Sequence, residues 1–191
     1  TTTNGHAPRR DQNQRPLEGS HVLPTVDLSN WPAEPTPEEG VERAELALPE
    51  GPYVITIGTI SHVKGTYDTL RSLENTPYGL VQAGGGSTAD KAALVAEGKR
   101  LGVEVVCMPR LSQTALVGVV RGAHAMVSHA HHEPFGFTPL EAMAVGVPPI
   151  MVDEGGFHYT MTGSGAGVLV QRDDHEGWLV AYEAAADPET R

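Results

Sequence analysis

A doubly wound α/β fold, built on a mostly parallel, six-stranded, Rossmann-like sheet, is what this sequence predicts. Three observations lead there. From Tyr53 onward, short apolar runs rich in β-branched residues alternate with helix-length stretches, the rhythm of strand–helix–strand units. Each run stops at a glycine or a polar loop, as strands buried inside a parallel sheet do. A hydrophobic content of 39% over 191 residues suffices for a core, which excludes wholesale disorder.

Residues 1–52 stand apart from that rhythm. They hold eight of the 15 prolines and carry 4 basic against 9 acidic side chains, with only His21–Pro24 strand-like. They are expected to form an irregular arm or interdomain linker, leaving 53–191 as the Rossmann-like domain. Its first strand is Tyr53–Gly58, and a helix opens at Lys64-Gly65 to run to about Asn75. Gly79–Ala83 is the second strand, followed by Gly84-Gly85-Gly86 and a helix over Ala89–Leu101. Val103–Met108 is a strand, and Ser112 caps a helix that reaches Gly122. Ala123–Ser128 follows as a strand, then a helix over Pro139–Val145 that Gly146 ends. Pro148–Val152 and Gly167–Gln171 complete the strands, and His175–Ala186 is the last helix, capped by Asp173-Asp174.

Composition narrows the function classes. A net charge of −11 argues against a nucleic-acid backbone or an anionic lipid surface as a general partner, though one pocket can still bind an anion. No apolar run is long enough to span a membrane, and Thr1–Ser20 has no secretory apolar segment. The single cysteine, Cys107, forms no intrachain disulfide and fits a reducing compartment, so a cytoplasmic protein is expected. Only three residues are lysines: Lys64, Lys91 and Lys99. Lys91 and Lys99 fall in an expected exposed helix. Lys64 stands at a helix start, where a cation is mildly unfavourable and asks for an anionic partner.

Ligands of doubly wound sheets bind beyond the carboxyl ends of the strands. The loops in question are 58–65, 84–88, 109–112, 129–138 and 153–158. The richest is 129–138, continuing into Glu141. There Thr138 fits an N-cap, Pro139 a first turn, and Glu141 the reciprocal partner of a capping box. The amides of Gly136 to Leu140, Pro139 excepted, would cluster at that helix start and favour a phosphate. A cap does not explain Glu133, which stands just before the tight Pro-Phe-Gly turn.

Glu133 and Glu141 make an E-x7-E pattern inside Glu-Pro-Phe-Gly-Phe-Thr-Pro-Leu-Glu-Ala-Met-Ala-Val-Gly-Val-Pro. Gly58-Thr59-Ile60-Ser61-His62-Val63-Lys64-Gly65 precedes it, Gly155-Gly156 follows it, and His-Val-Leu-Pro-Thr-Val-Asp stands at 21–27. In this order, the segments resemble the C-terminal, nucleotide-sugar-binding half of retaining GT-B glycosyltransferases of the family-4 type, over about residues 21–187. The resemblance implies that Lys64 pairs with a donor diphosphate. It implies Glu133 beside the donor sugar, Glu141 accepting from ribose hydroxyls, and amides of Gly136, Phe137 and Thr138 on the sugar and phosphates. Gly58, Thr59, Gly84 and Phe135 complete the implied donor-binding set, with Lys64 and Glu133 as the catalytic pair. A leaving nucleoside diphosphate gains charge as the glycosidic bond breaks, and Lys64 and the helix start would stabilise it with no metal and no other cofactor. A hydroxyl acceptor would bind through an N-terminal domain not present here, with the full-length protein cytoplasmic or peripheral at a membrane.

The sequence departs from the family pattern in places. Thr59 replaces an arginine that usually completes the diphosphate clamp, Tyr159 a glutamate, and Thr25 the interdomain Asn-Gly. A degenerate, non-catalytic nucleotide-sugar-binding module is therefore an alternative, as is an epimerase on the same architecture. Gly84-Gly85-Gly86-Ser87-Thr88-Ala89 suits a dinucleotide fingerprint, with Arg110 at a 2′-phosphate, which would make an NAD(P)-dependent oxidoreductase domain. It follows the second strand rather than the first, and the acidic Glu104 sits at the wrong end of its strand. His129, His131, His132 and Glu133 could hold zinc, or line the donor pocket together with His62 and His158. Cys107 reads as a buried structural thiol and Gly163-Ser164-Gly165 as a turn.

Overall fold

Six parallel strands pair in the order β3-β2-β1-β4-β5-β6, the doubly wound order in which the sheet reverses direction between its first and fourth strands. The computed structural model describes residues 25–162 and 164–186, so the expected strand at 21–24 lies outside the described residues. The strands are β1 (Tyr53–Ile57), β2 (Gly79–Ala83), β3 (Val105–Cys107), β4 (Ala125–Ser128), β5 (Pro149–Val152) and β6 (Val168–Val170). Register is continuous: Ile55 faces Val81 on one side and Met126 on the other. The helices are α1 (Pro37–Ala44), α2 (Thr66–Ser72), α3 (Thr88–Leu101), α4 (Gln113–Arg121), α5 (Thr138–Ala144), α6 (Phe157–Met161) and α7 (His175–Ala184).

Right-handed crossovers put α2 and α3 on one face of the sheet and α4 to α6 on the other. The last helix, α7, returns to lie against α2. The four central strands are buried on both sides: Val54, Ile55, Leu80, Val81, Val127, Met151 and Val152 have no more than traces of exposed surface. The expected caps of α4 and α7 form, with Ser112 and Asp174 accepting from the amides of Ala115 and Gly177, and α3 is capped as well, by Ser87 accepting from the Asp90 amide. The strand expected from Val103 begins at Val105, because the Val103 amide closes the end of α3 on the Gly98 carbonyl.

Two helices differ from expectation. Residues 1–52 were expected to be irregular, yet α1 forms within them on a complete capping box between Thr36 and Glu39, with Pro37 in the first turn. It packs on α4 so closely that a Cβ on Gly118 would lie 2.8 Å from the Glu39 carbonyl oxygen. Glu39 is buried and paired with Arg121 at 2.8 Å, and Arg121 also takes the carbonyls of Pro32, Ala33 and Val145. Trp31 enters the core just ahead of this staple. The second unexpected helix is α6, a single turn after Gly155-Gly156 that buries Phe157 and Met161.

Candidate functional site

Where the strand order reverses, the loops after β1, β2 and β4 meet around a crevice above the carboxyl ends of the strands. Glycines set how closely those loops approach. Gly58 and Gly84 have φ of 147° and 137°, and a Cβ on Gly84 would collide with the Gly58 carbonyl. The two backbones are held there by Gly58 N–H to the Ala83 carbonyl and Ile60 N–H to the Gly85 carbonyl, both 2.9 Å. Beneath them Gln82, 1% exposed, donates its amide to the Gly58 carbonyl at 2.7 Å. Thr59 projects to the surface at the junction, its hydroxyl beside Gly85.

On the other side of the crevice, Gly65 takes a left-handed conformation that brings its backbone against His129. The Val63 carbonyl accepts the His131 amide at 2.8 Å, so the loops after β1 and β4 are tied backbone to backbone. This places the Lys64 ammonium 2.9 Å from the Glu133 carboxylate. Glu133 is itself held from behind, where its carbonyl accepts the Gly156 amide at 2.6 Å and Gly155 lies beneath it. Gly136, with φ of 80°, passes over the Phe157 ring, so a Cβ there would lie 2.6 Å from it. Phe135 and Phe137 form a tilted ring pair at 4.9 Å, and Phe137 keeps 38% of its surface exposed.

The expected capping box at Thr138 is not formed. The N-cap is Phe137, without a side-chain cap, and Thr138 is already the first helical residue. Thr138 fails as a cap because Phe137 holds a helical conformation, so the turn starts one residue earlier. This frees Glu141. Its carboxyl makes no hydrogen bond or ion pair among the described residues, and burial raises its pKa. The amides of Gly136, Phe137 and Thr138 likewise donate to no carbonyl among the described residues.

A cavity of about 440 Å³ opens beside Gly84 and Gly85, beyond the ends of β1, β2 and β3. Its floor is apolar (Ile57, Ala83, Leu111, Leu116), and two cations, Lys91 and Arg110, stand on its wall with no carboxylate among its lining residues. Lys91, expected on an exposed helix face, instead reaches over β3 to donate to the Met108 carbonyl at 3.0 Å. Long aliphatic stems allow such reach, and helix periodicity alone does not show it.

The histidines disperse. His129, expected beside His131 on one side of an extended segment, is 2% exposed; its ring stacks on Trp178 at 3.7 Å and its Nδ1 lies 3.1 Å from the Thr69 hydroxyl. Burial, then Arg172 and His131, push its pKa down to about 3, so it is neutral. His131 lies 3.4 Å from Asp68, His158 is bonded to Asp153 at 2.6 Å, and His62 stacks on Tyr67. Among the described residues no three His, Cys, Asp or Glu side chains converge as metal ligands, so the H-x-H-H-E run is not assembled for zinc. Glu104 bonds the Glu50 amide at the amino end of the sheet, far from any dinucleotide ribose at its carboxyl end. No helix among the described residues is long and apolar enough to cross a membrane.

Sequence reasoning passed over the loop after β6, although it too lies at a carboxyl end. Arg172 there pairs with Glu154 and binds the carbonyls of His129 and Ala130.

Known proteins share this fold. A D-inositol 3-phosphate glycosyltransferase of Mycolicibacterium gilvum is 32% identical over 179 residues, which is 88% of this chain and 40% of the relative. The sucrose-phosphate synthase structure from Thermosynechococcus elongatus superposes with a TM-score of 0.70 at 28% identity, covering 87% of this chain and 43% of that one. The C-terminal domain of a glycosyl transferase group 1 protein from Francisella tularensis superposes with a TM-score of 0.63 at 21% identity, covering 85% and 87%. The chain thus spans about two fifths of the length of the curated relatives it matches, and nearly all of a structure that is one such domain. The sequence profile of the family described as glycosyl transferases group 1 matches residues 39–185, well over half of the chain, and the chain belongs to that family.

Proposed function

We propose that this domain binds the nucleotide-sugar donor of a retaining hexosyl transfer to a hydroxyl acceptor. The observation that carries the reading is the Lys64–Glu133 pair at the mouth of the crevice, with the Glu141 carboxyl, unpaired among the described residues, on the adjoining helix. The nucleoside would occupy the cavity beside Gly84, and its ribose would face Glu141. The diphosphate would lie across Lys64 and the amides of Gly136, Phe137 and Thr138, leaving the sugar against Glu133.

Transfer breaks the bond between the anomeric carbon and the distal phosphate oxygen and forms one to the acceptor oxygen on the same face, the acceptor's hydroxyl proton passing to the departing diphosphate. Negative charge grows on the departing diphosphate, and Lys64 with the unpaired amides would stabilise it where it develops. In this reading no metal and no resident cofactor is needed, the acceptor is held by a preceding domain, and the setting is the cytoplasm, free or peripheral at a membrane.

Calorimetric titration with UDP, GDP and ADP tests the donor assignment. At least one should bind, and Glu141→Ala should weaken it by about tenfold, the loss of a charge-assisted hydrogen bond. If none binds, or if Glu141→Ala changes nothing, the assignment fails. A second reading, a binding module without catalysis, is favoured by Thr59 at the position of the usual clamp arginine. Thr59→Arg should then raise diphosphate affinity; an unchanged affinity refutes the clamp geometry.

A further inference from the structure

Arg172 sits two residues beyond β6 with its side chain 19% exposed, and its guanidinium gathers three chain segments. Nε and Nη2 make a two-pronged pair with Glu154, both at 2.8 Å. Nη1 donates to the His129 carbonyl at 2.8 Å and Nη2 to the Ala130 carbonyl at 3.4 Å. Asp68 stands 3.7 Å away and shares its carboxylate with His131.

Each partner belongs to a segment that carries part of the site. Residues 129 and 130 lead directly to Glu133. Glu154 precedes Gly155 and Gly156, which hold the Glu133 backbone from behind. Asp68 lies on α2, just beyond Lys64 and Gly65. None of the hydrogen bonds or ion pairs of Arg172 goes to Lys64, Glu133 or Glu141. A planar guanidinium with five donors satisfies two carbonyls and a carboxylate at once, and a lysine ammonium cannot copy that fork.

We propose that Arg172 is a positioning residue for the donor site: it fixes the loop bearing Glu133 against the loop bearing Lys64 and so controls how a nucleoside diphosphate is held. The proposal rests on the donor-binding reading above. It also has a signature of its own, because the nucleoside cavity lies beside β1, β2 and β3, away from the segments that Arg172 joins.

The test uses Arg172→Gln and Arg172→Lys in the whole chain, titrated with UDP, GDP and ADP and with the matching monophosphates. Arg172→Gln should weaken the diphosphate that the unaltered chain binds by roughly tenfold and its monophosphate by less than about twofold. Arg172→Lys should fall between the two. In a Lys64→Ala background the further loss of diphosphate affinity should shrink to less than about twofold, since the two residues then act through one contact. Equal losses for mono- and diphosphate, or a loss undiminished in the Lys64→Ala background, would overturn the proposal in favour of general scaffolding. Hydrogen exchange gives a readout that does not depend on nucleotide. The hydrogen-bonded amides of Ala130, His131 and Gly156 should exchange at least about tenfold faster in Arg172→Gln while β1 and β2 stay protected. If no nucleotide binds the unaltered chain, the donor reading fails, yet unchanged exchange at those amides would still overturn the role of Arg172.

Discussion

Glu133→Gln is the most direct probe of the crevice, because it removes a charge and little else. The Lys64 and Glu133 side chains are 44% and 19% exposed, so their ion pair at 2.9 Å contributes about 0–1 kcal/mol to stability. The variant should therefore melt within a few degrees of the parent. Its effect on ligands should be larger and of opposite sign to a simple loss of contact. In the empty site the carboxylate occupies the ammonium that a diphosphate needs, and a bound diphosphate would then lie beside a like charge. Two unit charges about 4 Å apart repel by about 4 kcal/mol near a protein surface. Partial exposure and salt leave roughly 1 kcal/mol of this, or about a fivefold gain in affinity for UDP or its GDP or ADP counterpart. The corresponding nucleotide sugar, with one charge fewer and a sugar facing the carboxylate, should gain less or lose. Calorimetry at low and at high salt measures both, and the gain for the diphosphate should fade as salt rises. Unchanged or weaker diphosphate binding in Glu133→Gln would refute the premise that Lys64 faces the diphosphate.

Other expectations concern the scaffold around that pair. Gly84→Ala places a Cβ against the Gly58 carbonyl and should cost about 3 kcal/mol or more, read as a lowered urea midpoint. Gly146→Ala, at φ of 74° with open space around it, should cost only about 1–2 kcal/mol. His129, neutral with a pKa near 3, is protonated in the unfolded chain below about pH 6.5 but not in the folded one. It should therefore cost up to about 1.4 kcal/mol per pH unit as pH falls from 6.5 towards 3, and His129→Gln should flatten that slope in pH-dependent urea melts. Glu141, whose pKa burial raises, is an unfavourable anion in the empty fold at neutral pH. Glu141→Gln should raise stability by roughly 0.5 kcal/mol while weakening nucleotide binding, and a destabilised variant would argue that the carboxylate has a structural partner.

The alternation of apolar runs and helices was legible because the four central strands are buried on both faces, so their hydrophobicity needs no distant partner to explain it. That Lys64 and Glu133 stand on loops at the carboxyl end of the sheet was legible for a different reason: each sits in a short loop whose glycines dictate the path of the backbone. Sequence spacing gave no access to contacts made across the fold. Arg172 meets His129 from 43 residues away, and Arg121 meets Glu39 from 82 away. Neither pattern is local. The capping error at Thr138 shows the limit from the other side: a motif with the right spacing was displaced by the backbone that the preceding Gly136 turn imposes. At α1 the reverse happened, since Thr36-Pro37-Glu38-Glu39 is a complete cap signal masked by the prolines around it.

The clasp between α1 and α4 also fixes where cooperative unfolding can begin. A polypeptide cut after Glu45 would lose Trp31 and Glu39 together, leaving the Arg121 guanidinium in a shallow trench with no counter-charge. The same cut would bare the Gly118–Gly122 groove along α4 to solvent and to other molecules. An excised domain that starts where the strand rhythm starts, at Tyr53, would thus be sticky and fragile; one that starts ahead of Trp31 would keep its own seal.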